Sequence, residues 1–163
     1  MIGTTIIKGP SACTHLERSE FARLVRFGFD GSDDGLLARI RDAKWLAFHY
    51  GESNTLNGIA GLKVPADRQR ANIFEKAAPD VDSEAYELEL GWVYVAPDQR
   101  GNGIATDICR RLMDRERARC VFATTRSDNN SMIKILRVLG FERVGREFPH
   151  RRRKEQLVLY LRA

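Results

Sequence analysis

The feature that most constrains this chain is an abrupt change of pattern between residues 86 and 113. The run YELELGWVYV (86–95) places a large apolar side chain at every second position from Leu88 to Tyr94, which is the pattern of a strand. The segment RGNGIA (100–105) follows it and leads directly into an amphipathic helical pattern. The sequence therefore predicts a central strand, a glycine turn and a helix in direct succession.

The rest of the chain alternates short strand and helix patterns. Further strands are predicted at 4–9, 44–51, 56–65, 120–125, 141–148 and 156–162, and further helices at 11–27, from Ser32 to Arg41 and at 129–139. Residues 66–85 are polar, with only a helical turn at IFEKAA, and we interpret them as an excursion above the core that could cover a substrate. The predicted fold is α/β (α+β), with a mixed, mostly antiparallel sheet of about seven strands and about four helices.

Length and composition fit one globular domain covering residues 1–163. Hydrophobic residues make up 43% of the chain and charged residues 30%, close to the averages for soluble domains. No apolar run reaches the roughly 18 residues of a spanning helix, and the first residues lack a signal-peptide pattern. A cytoplasmic location is the expectation.

The cysteine and histidine positions predict neither a disulfide framework nor a metal site. The chain has three Cys and three His, with no CxxC spacing. We expect Cys13, Cys109 and Cys120 to be reduced packing residues. The net charge of +5 allows an anionic partner without choosing one.

The glycine turn admits three anion-binding interpretations. A P-loop is excluded because the GxxxxGK[ST] pattern is absent, and a dinucleotide fingerprint is weak because Thr106 stands at the third-glycine position. What remains is a loop that directs backbone N–H groups at a pyrophosphate beside a helix N-terminus, with Arg100 adding positive charge and Ala105 allowing close approach. The alternative is a turn that only separates strand from helix.

The sequence VYVAPDQRGNGIATDIC (93–109) resembles the acetyl-coenzyme A (acetyl-CoA) binding motif of the GCN5-related N-acetyltransferase (GNAT) superfamily. That motif is Arg or Gln, two residues, Gly, one residue, then Gly or Ala, and Arg100, Gly103 and Ala105 match it. The resemblance extends over nearly the whole chain.

A second stretch, NNSMIKILRVLGF (129–141), is similar to the other cofactor motif of that superfamily. Asn129 stands at the asparagine position that precedes a helix, and Gly140 with Phe141 stands at its end. Both motifs occur in the expected order, with one predicted strand between them.

The resemblance implies acetyl-CoA as co-substrate, no metal, and direct transfer of the acetyl group to a primary amine in a ternary complex. It also implies that the strand at 87–95 splays away from the strand at 120–125 at the cofactor site. The implied cofactor-binding residues are Val93, Tyr94, Val95, Arg100, Gly101, Asn102, Gly103, Ile104, Ala105, Thr106 and Asn129.

The resemblance also suggests catalytic residues. Glu89 matches the glutamate that histone-acetylating members use as a general base; the alternative is a solvent-exposed strand face that carries Glu87 and Glu89. The usual acid is a tyrosine seven residues after the asparagine, and here that position is Leu136. Tyr94 and Tyr160 are unsupported substitutes, so the acid stays unassigned.

Several alternatives stay open at this stage. The missing tyrosine motivates a second hypothesis, a non-catalytic acyl-CoA sensor or binding module. The cluster HRRRK (150–154) is interpreted as a solvated turn, with an acidic substrate, the 3′-phosphate of the cofactor or nucleic acid as alternatives. Nucleic acid is disfavoured because no aromatic residues interleave with it. The acceptor amine and the oligomeric state are undetermined, and a homodimer is one option.

Overall fold

The strand and helix patterns become seven strands and five helices in the part of the chain that the computed structural model describes, residues 3–29 and 34–163. The strands are β1 (Thr4–Lys8), β2 (Trp45–Tyr50), β3 (Leu56–Lys63), β4 (Leu88–Val95), β5 (Val121–Arg126), β6 (Glu142–Pro149) and β7 (Gln156–Arg162). The helices are α1 (His15–Gly28), α2 (Leu36–Asp42), α3 (Asp67–Ala77), α4 (Ile104–Arg115) and α5 (Asn130–Val138).

The strands follow the order β1-β2-β3-β4-β5-β7-β6 in one sheet. Antiparallel ladders join β1 to β2, β2 to β3, β5 to β7 and β7 to β6. Strands β4 and β5 are parallel, with Leu88 opposite Val121 and Glu89 opposite Phe122, and α4 supplies the crossover that a parallel pair requires. The predicted fold class is therefore confirmed, while the splay of β4 from β5 beyond these pairs stays a prediction.

The chain divides into two compact units, and each has its own buried cluster. The first unit contains the described residues up to Val64 together with Leu90–Arg117. In it, α1 and α2 pack on β2 and β3, and the ring of Phe21 makes edge-on contacts with Phe48 at 5.5 Å and with Trp92 at 5.7 Å. Such aromatic contacts add stability beyond the area that they bury.

The second unit contains Pro65–Glu89 together with Ala118–Ala163. Its buried cluster joins α3 to β5, β6 and β7, and the ring of Phe74 lies 5.5 Å from that of Phe122. The interpretation of residues 66–85 as a polar excursion outside the core was wrong, because an eleven-residue helix forms there and buries Phe74 and Ala77. The helix was hard to predict because it has too few apolar residues to show a clear helical period.

Two sequence-based expectations remain untested by the fold. Ser32, the predicted start of the second helix, lies outside the described residues, and α2 begins at Leu36 after Gly35, whose φ is 73°. The single domain over 1–163 also stays a prediction. Within 3–29 and 34–163, none of the helices combines the length and hydrophobicity needed to cross a membrane.

Candidate functional site

The glycine turn of the first unit adopts a backbone that only glycine accepts readily. Gly101 has φ 82° and Gly103 has φ 76°, both in the left-handed region that costs other residues free energy. A Cβ atom added at either position would meet none of the described atoms within 4 Å. The glycines are therefore required by the backbone conformation, and the space beside them is open to a ligand.

Helix α4 begins at this turn without a side-chain cap. Gly103 is its N-cap residue and makes no side-chain cap hydrogen bond. The first N–H groups of a helix have no carbonyl partner within the helix, and the helix dipole adds partial positive charge there. The N–H groups of Ile104, Ala105 and Thr106 thus form a set of donors suited to an anion such as a pyrophosphate.

The segment that precedes the glycines is tied to the sheet of the same unit. The Ala96 N–H donates to the Asn57 carbonyl oxygen at 2.8 Å, and a single 3-10 turn follows at Pro97–Gln99. The side-chain amide of Asn102 donates to the Gln99 carbonyl oxygen at 3.1 Å. These bonds give the turn a defined path before a ligand is bound, which lowers the entropic cost of binding.

Arg100 folds back onto the end of β4. Its Nε donates to the Val95 carbonyl oxygen at 2.8 Å, and its guanidinium carbon lies 5.6 Å from the ring centre of Tyr94. One Val95 carbonyl lone pair is therefore used within the protein, while the outer nitrogens of this exposed arginine can still face an anion. Tyr94 in turn packs against Gly28 of α1, where an added Cβ would approach the ring to 2.7 Å.

Trp92 lies in β4 with a φ of 53°, a left-handed conformation that is an outlier for a bulky residue. Its side chain is buried against Phe21 and over Gly61, and the ammonium of Lys63 lies 5.2 Å from its ring centre. Sequence reasoning missed this irregularity. The available signal was Gly91, because glycine inside a strand pattern often marks a bulge.

Glu89 lies in the second unit, opposite Phe122 of β5, and is only 5% exposed. The side chain of Glu87, two residues earlier, is 60% exposed and pairs with Arg119. The alternative in which both glutamates occupy a solvent-exposed face is therefore wrong for Glu89. A carboxylate is rarely buried without a specific reason.

Asn129 has a structural role in the second unit. Its side-chain oxygen accepts a hydrogen bond from the Met132 N–H at 3.1 Å and caps α5, a role that an Asn before an apolar helix could have predicted. This hydrogen bond involves only the side-chain oxygen of Asn129, and no role is assigned to its amide NH₂ group. Leu136, at the position where the family has its acid, is fully buried in α5.

The two tyrosines considered as substitute acids lie in different surroundings. Tyr160 is buried in β7 opposite Ala123, and Tyr94 is half-buried beside Arg100. Neither environment identifies its tyrosine as the group that protonates the departing thiolate, so the general acid stays unassigned.

A groove of about 760 Å³ lies in the first unit between the β2–β3 turn and the segment before α4. Its lining includes the carboxylates of Glu52 and Asp98 and the amides of Asn57, Gln99 and Asn102. Two carboxylates make this groove a poor host for a phosphate. Asn102 and Ile104 also line the groove, so it borders the N–H groups of the glycine turn, and we assign the anion site to those N–H groups and not to the carboxylate-lined part.

Two of the cysteines, Cys13 and Cys109, are buried packing residues. Complete burial raises the pKa of the Cys109 thiol to about 12, and burial also raises the pKa of Cys13. Both side chains therefore stay protonated and unreactive at neutral pH. Among the described residues, the His, Cys, Asp and Glu side chains form no group of three that could hold a metal ion.

Comparison with known proteins identifies the class to which this fold and this turn belong. The family model "Acetyltransferase (GNAT) family" matches residues 14–141, which include the glycine turn, Glu89 and Asn129. The chain belongs to this family. The family is one of acetyltransferases, which agrees with the enzyme class expected from the sequence.

Individual relatives agree with this assignment. The chain is 35% identical over 60 residues to the N-alpha-acetyltransferase RimI of Mycobacterium tuberculosis, a match that covers 37% of this chain and 38% of that protein. The matched segment thus spans about two-fifths of the length of this curated relative.

Solved structures share the fold over almost the full chain. An acyl-CoA N-acyltransferase from Pseudomonas aeruginosa has a TM-score of 0.72 at 14% identity and covers 99% of both chains. Arabidopsis thaliana NAA60 in complex with acetyl-CoA has a TM-score of 0.69 at 13% identity, covering 98% of this chain and 99% of that chain.

Proposed function

We propose that this protein transfers the acetyl group of acetyl-CoA to a primary amine by direct attack in a ternary complex. The observation that carries the proposal is the pair of left-handed glycines before the uncapped N-terminus of α4. A pyrophosphate needs several convergent N–H donors and little side-chain bulk, and the turn at 100–106 provides both. Membership of the acetyltransferase family supports the same assignment.

The proposed cofactor residues have separate tasks. The N–H groups from Gly101 to Thr106 bind the pyrophosphate, with Arg100 adding charge. Backbone groups of Val93 and Val95 bind the pantetheine arm, and one such N–H polarises the thioester carbonyl, a contribution of about 2.7–4 kcal/mol in comparable acyl transfers. Asn129 is the proposed contact from the second motif. Acetyl-CoA supplies an activated acyl group whose carbonyl carbon accepts the nucleophile.

Glu89 is the proposed general base. An amine arrives as ammonium at neutral pH and must lose a proton before its nitrogen attacks the carbonyl carbon. A buried carboxylate in β4 can accept that proton directly or through a water molecule. The carbon–sulfur bond then breaks, and the thiolate takes a proton from solvent or from a donor that is not assigned.

Replacing Glu89 by Gln tests the base assignment. Removing a general base typically costs about 10²–10⁴-fold in rate, so we expect kcat to fall at least 100-fold and the pH dependence of kcat to change shape. Calorimetry should show unchanged affinity for acetyl-CoA. Glu87→Gln is the matched control, because Glu87 is an exposed glutamate two residues away. Unchanged kcat in Glu89→Gln would refute the assignment.

Leu136 favours a second candidate function, a non-catalytic acyl-CoA sensor. The family's usual acid position is occupied here by a buried aliphatic side chain, which cannot protonate a leaving thiolate. Micromolar binding of acetyl-CoA without turnover across a broad panel of amines would favour the sensor. Release of free CoA thiol that depends on an amine would exclude it.

A further inference from the structure

The β6–β7 turn carries the highest concentration of positive charge in the chain. Residues 118–163 contain eleven Lys and Arg but four Asp and Glu, whereas the preceding 117 residues contain sixteen and eighteen. Four of the cations, Arg151 to Lys154, are consecutive in this turn. Adjacent like charges repel one another, and an anionic partner relieves that repulsion.

The turn has a defined backbone beside the end of β5. The His150 N–H donates to the Glu155 carbonyl oxygen at 2.9 Å, and the Arg152 N–H donates to His150 Nδ1 at 3.0 Å. The Ser127 N–H, just after β5, donates to the Gln156 carbonyl oxygen at 2.9 Å. These bonds bring the turn next to the segment that begins with Arg126.

Within residues 3–29 and 34–163, two carboxylates lie beside these cations. Arg151, Arg152 and Lys154 are exposed. Glu155 lies 3.9 Å from Arg153, and Asp128 lies 3.3 Å from Arg126. We call the surface formed by Arg126, Arg151, Arg152 and Lys154 the basic end of the second unit.

The proposed base lies opposite β5, the strand that ends at the basic end. Glu89 is opposite Phe122, and Arg126 stands four residues further along β5. At about 3.3 Å per residue, the two positions are about 13 Å apart along the strand. In an extended peptide whose terminal amine lies at Glu89, the third to fifth residues are about as far from Glu89 as Arg126 is.

We infer that the acceptor amine belongs to an acidic molecule, such as a peptide with Asp or Glu near positions three to five. This inference rests on the proposed function, since it takes Glu89 as the site of the amine. Arginines pair well with carboxylates and steer them at low ionic strength. A single 3′-phosphate of the cofactor engages one or two cations, fewer than the basic end presents, and residues 126–130 and 150–155 contain no Phe, Tyr or Trp for stacking on nucleic acid bases.

The test compares ten-residue peptides with a free terminal amine whose third to fifth residues are all Glu, all Gln or all Lys. With acetyl-CoA as donor, we expect kcat/KM to be at least 10-fold higher for the Glu peptide than for the Gln peptide, and lowest for the Lys peptide. Raising the salt concentration should reduce the preference. Equal kcat/KM for the three peptides at low salt would overturn the inference.

Two double variants locate the effect. Arg151→Ala with Arg152→Ala should raise KM for the Glu peptide about 10-fold and leave kcat, the Gln peptide and the KM of acetyl-CoA unchanged. Arg110→Ala with Arg117→Ala removes the same charge from exposed positions in and just after α4 and serves as control. Circular dichroism checks that both variants fold.

Other outcomes contradict the inference in recognisable ways. If the first double variant weakens binding of acetyl-CoA but not of 3′-dephospho-acetyl-CoA, the basic end binds the cofactor. If it abolishes binding of single-stranded DNA without affecting the peptides, the partner is nucleic acid. If acetyl-CoA binds and neither the peptides nor a broad panel of other primary amines are acetylated, the proposed function fails instead. Fluorescence anisotropy of a labelled Glu peptide then tests the inference. It is upheld if the unaltered protein binds the peptide and the Arg151→Ala, Arg152→Ala variant does not. It is overturned if the unaltered protein does not bind the peptide.

Discussion

Gly103 illustrates how one residue can serve backbone conformation and ligand binding at once. Its φ of 76° is unfavourable for any residue with a Cβ, and the described residues leave open space beside it. Gly103→Ala should lower the free energy of unfolding by about 1 kcal/mol. It should also weaken acetyl-CoA binding by at least 10-fold, because the new methyl group enters the space proposed for the pyrophosphate.

Gly35 provides the matched control for this prediction. It has a φ of 73° at the N-cap of α2, and among the described atoms an added Cβ there meets only Arg39 Nη1 at 4.0 Å. Gly35→Ala should therefore reduce stability by a similar amount without changing the affinity for acetyl-CoA. Urea denaturation measures the first effect and calorimetric titration the second. If both variants bound acetyl-CoA with equal affinity, Gly103 would not border the bound cofactor.

Helix α3 contributes to the buried core of the second unit although its sequence pattern is weak. Phe74 is 5% exposed and contacts the rings of Phe122 and Tyr86. Phe74→Ala should cost about 3–5 kcal/mol of unfolding free energy, through lost burial and a cavity. Asn72→Ala, at an exposed position of the same helix, should be nearly neutral. A cost below about 1 kcal/mol for Phe74→Ala in urea titrations would place α3 outside the core.

Helix α1 begins with a capping box whose strength depends on pH. Hydrogen bonds from Lys8 and the Thr14 N–H hold the pKa of Glu17 below its ordinary value of 4.5. A lowered pKa in the folded state means that the carboxylate stabilises the fold above about pH 4.5, and that this gain is lost as the pH falls through the lowered pKa.

Glu17→Gln should therefore cost about 0.5 kcal/mol at pH 7, and the difference from the unaltered protein should disappear at low pH. Thr14→Ala is the control, because a hydroxyl cap does not titrate and its loss should cost about 1 kcal/mol across the pH range. Urea denaturation from pH 7 to pH 3 measures both. A cost of Glu17→Gln that does not change with pH would contradict the assigned cause.

Sequence reasoning was most reliable where a single pattern determines an element. The alternation from Leu88 to Tyr94 and the glycines after it were sufficient to predict β4, the turn and α4. It failed where tertiary contacts decide the outcome: the left-handed Trp92 depends on packing against Phe21 and Gly61, and α3 depends on Phe74 finding Phe122. The burial of Glu89 could not be predicted either, because alternation alone assigned it to the opposite face from Leu88.

At the scale of the whole molecule, the two motifs belong to different units. The glycine turn lies in the first unit and Asn129 in the second, and each is built from bonds within its own unit. The charge is also uneven, with the excess of cations in residues 118–163. Family membership accounts for the glycine turn, whereas the basic end is the feature from which we infer the acceptor.

Calorimetric titration of the folded protein with acetyl-CoA tests the central claim most directly. We predict one binding site per chain, with a Kd between about 1 µM and 1 mM, the range typical of enzyme substrates. The affinity should fall at least 10-fold in Gly103→Ala and stay unchanged in Gly35→Ala. No heat of binding from protein whose circular dichroism shows it to be folded would contradict the account.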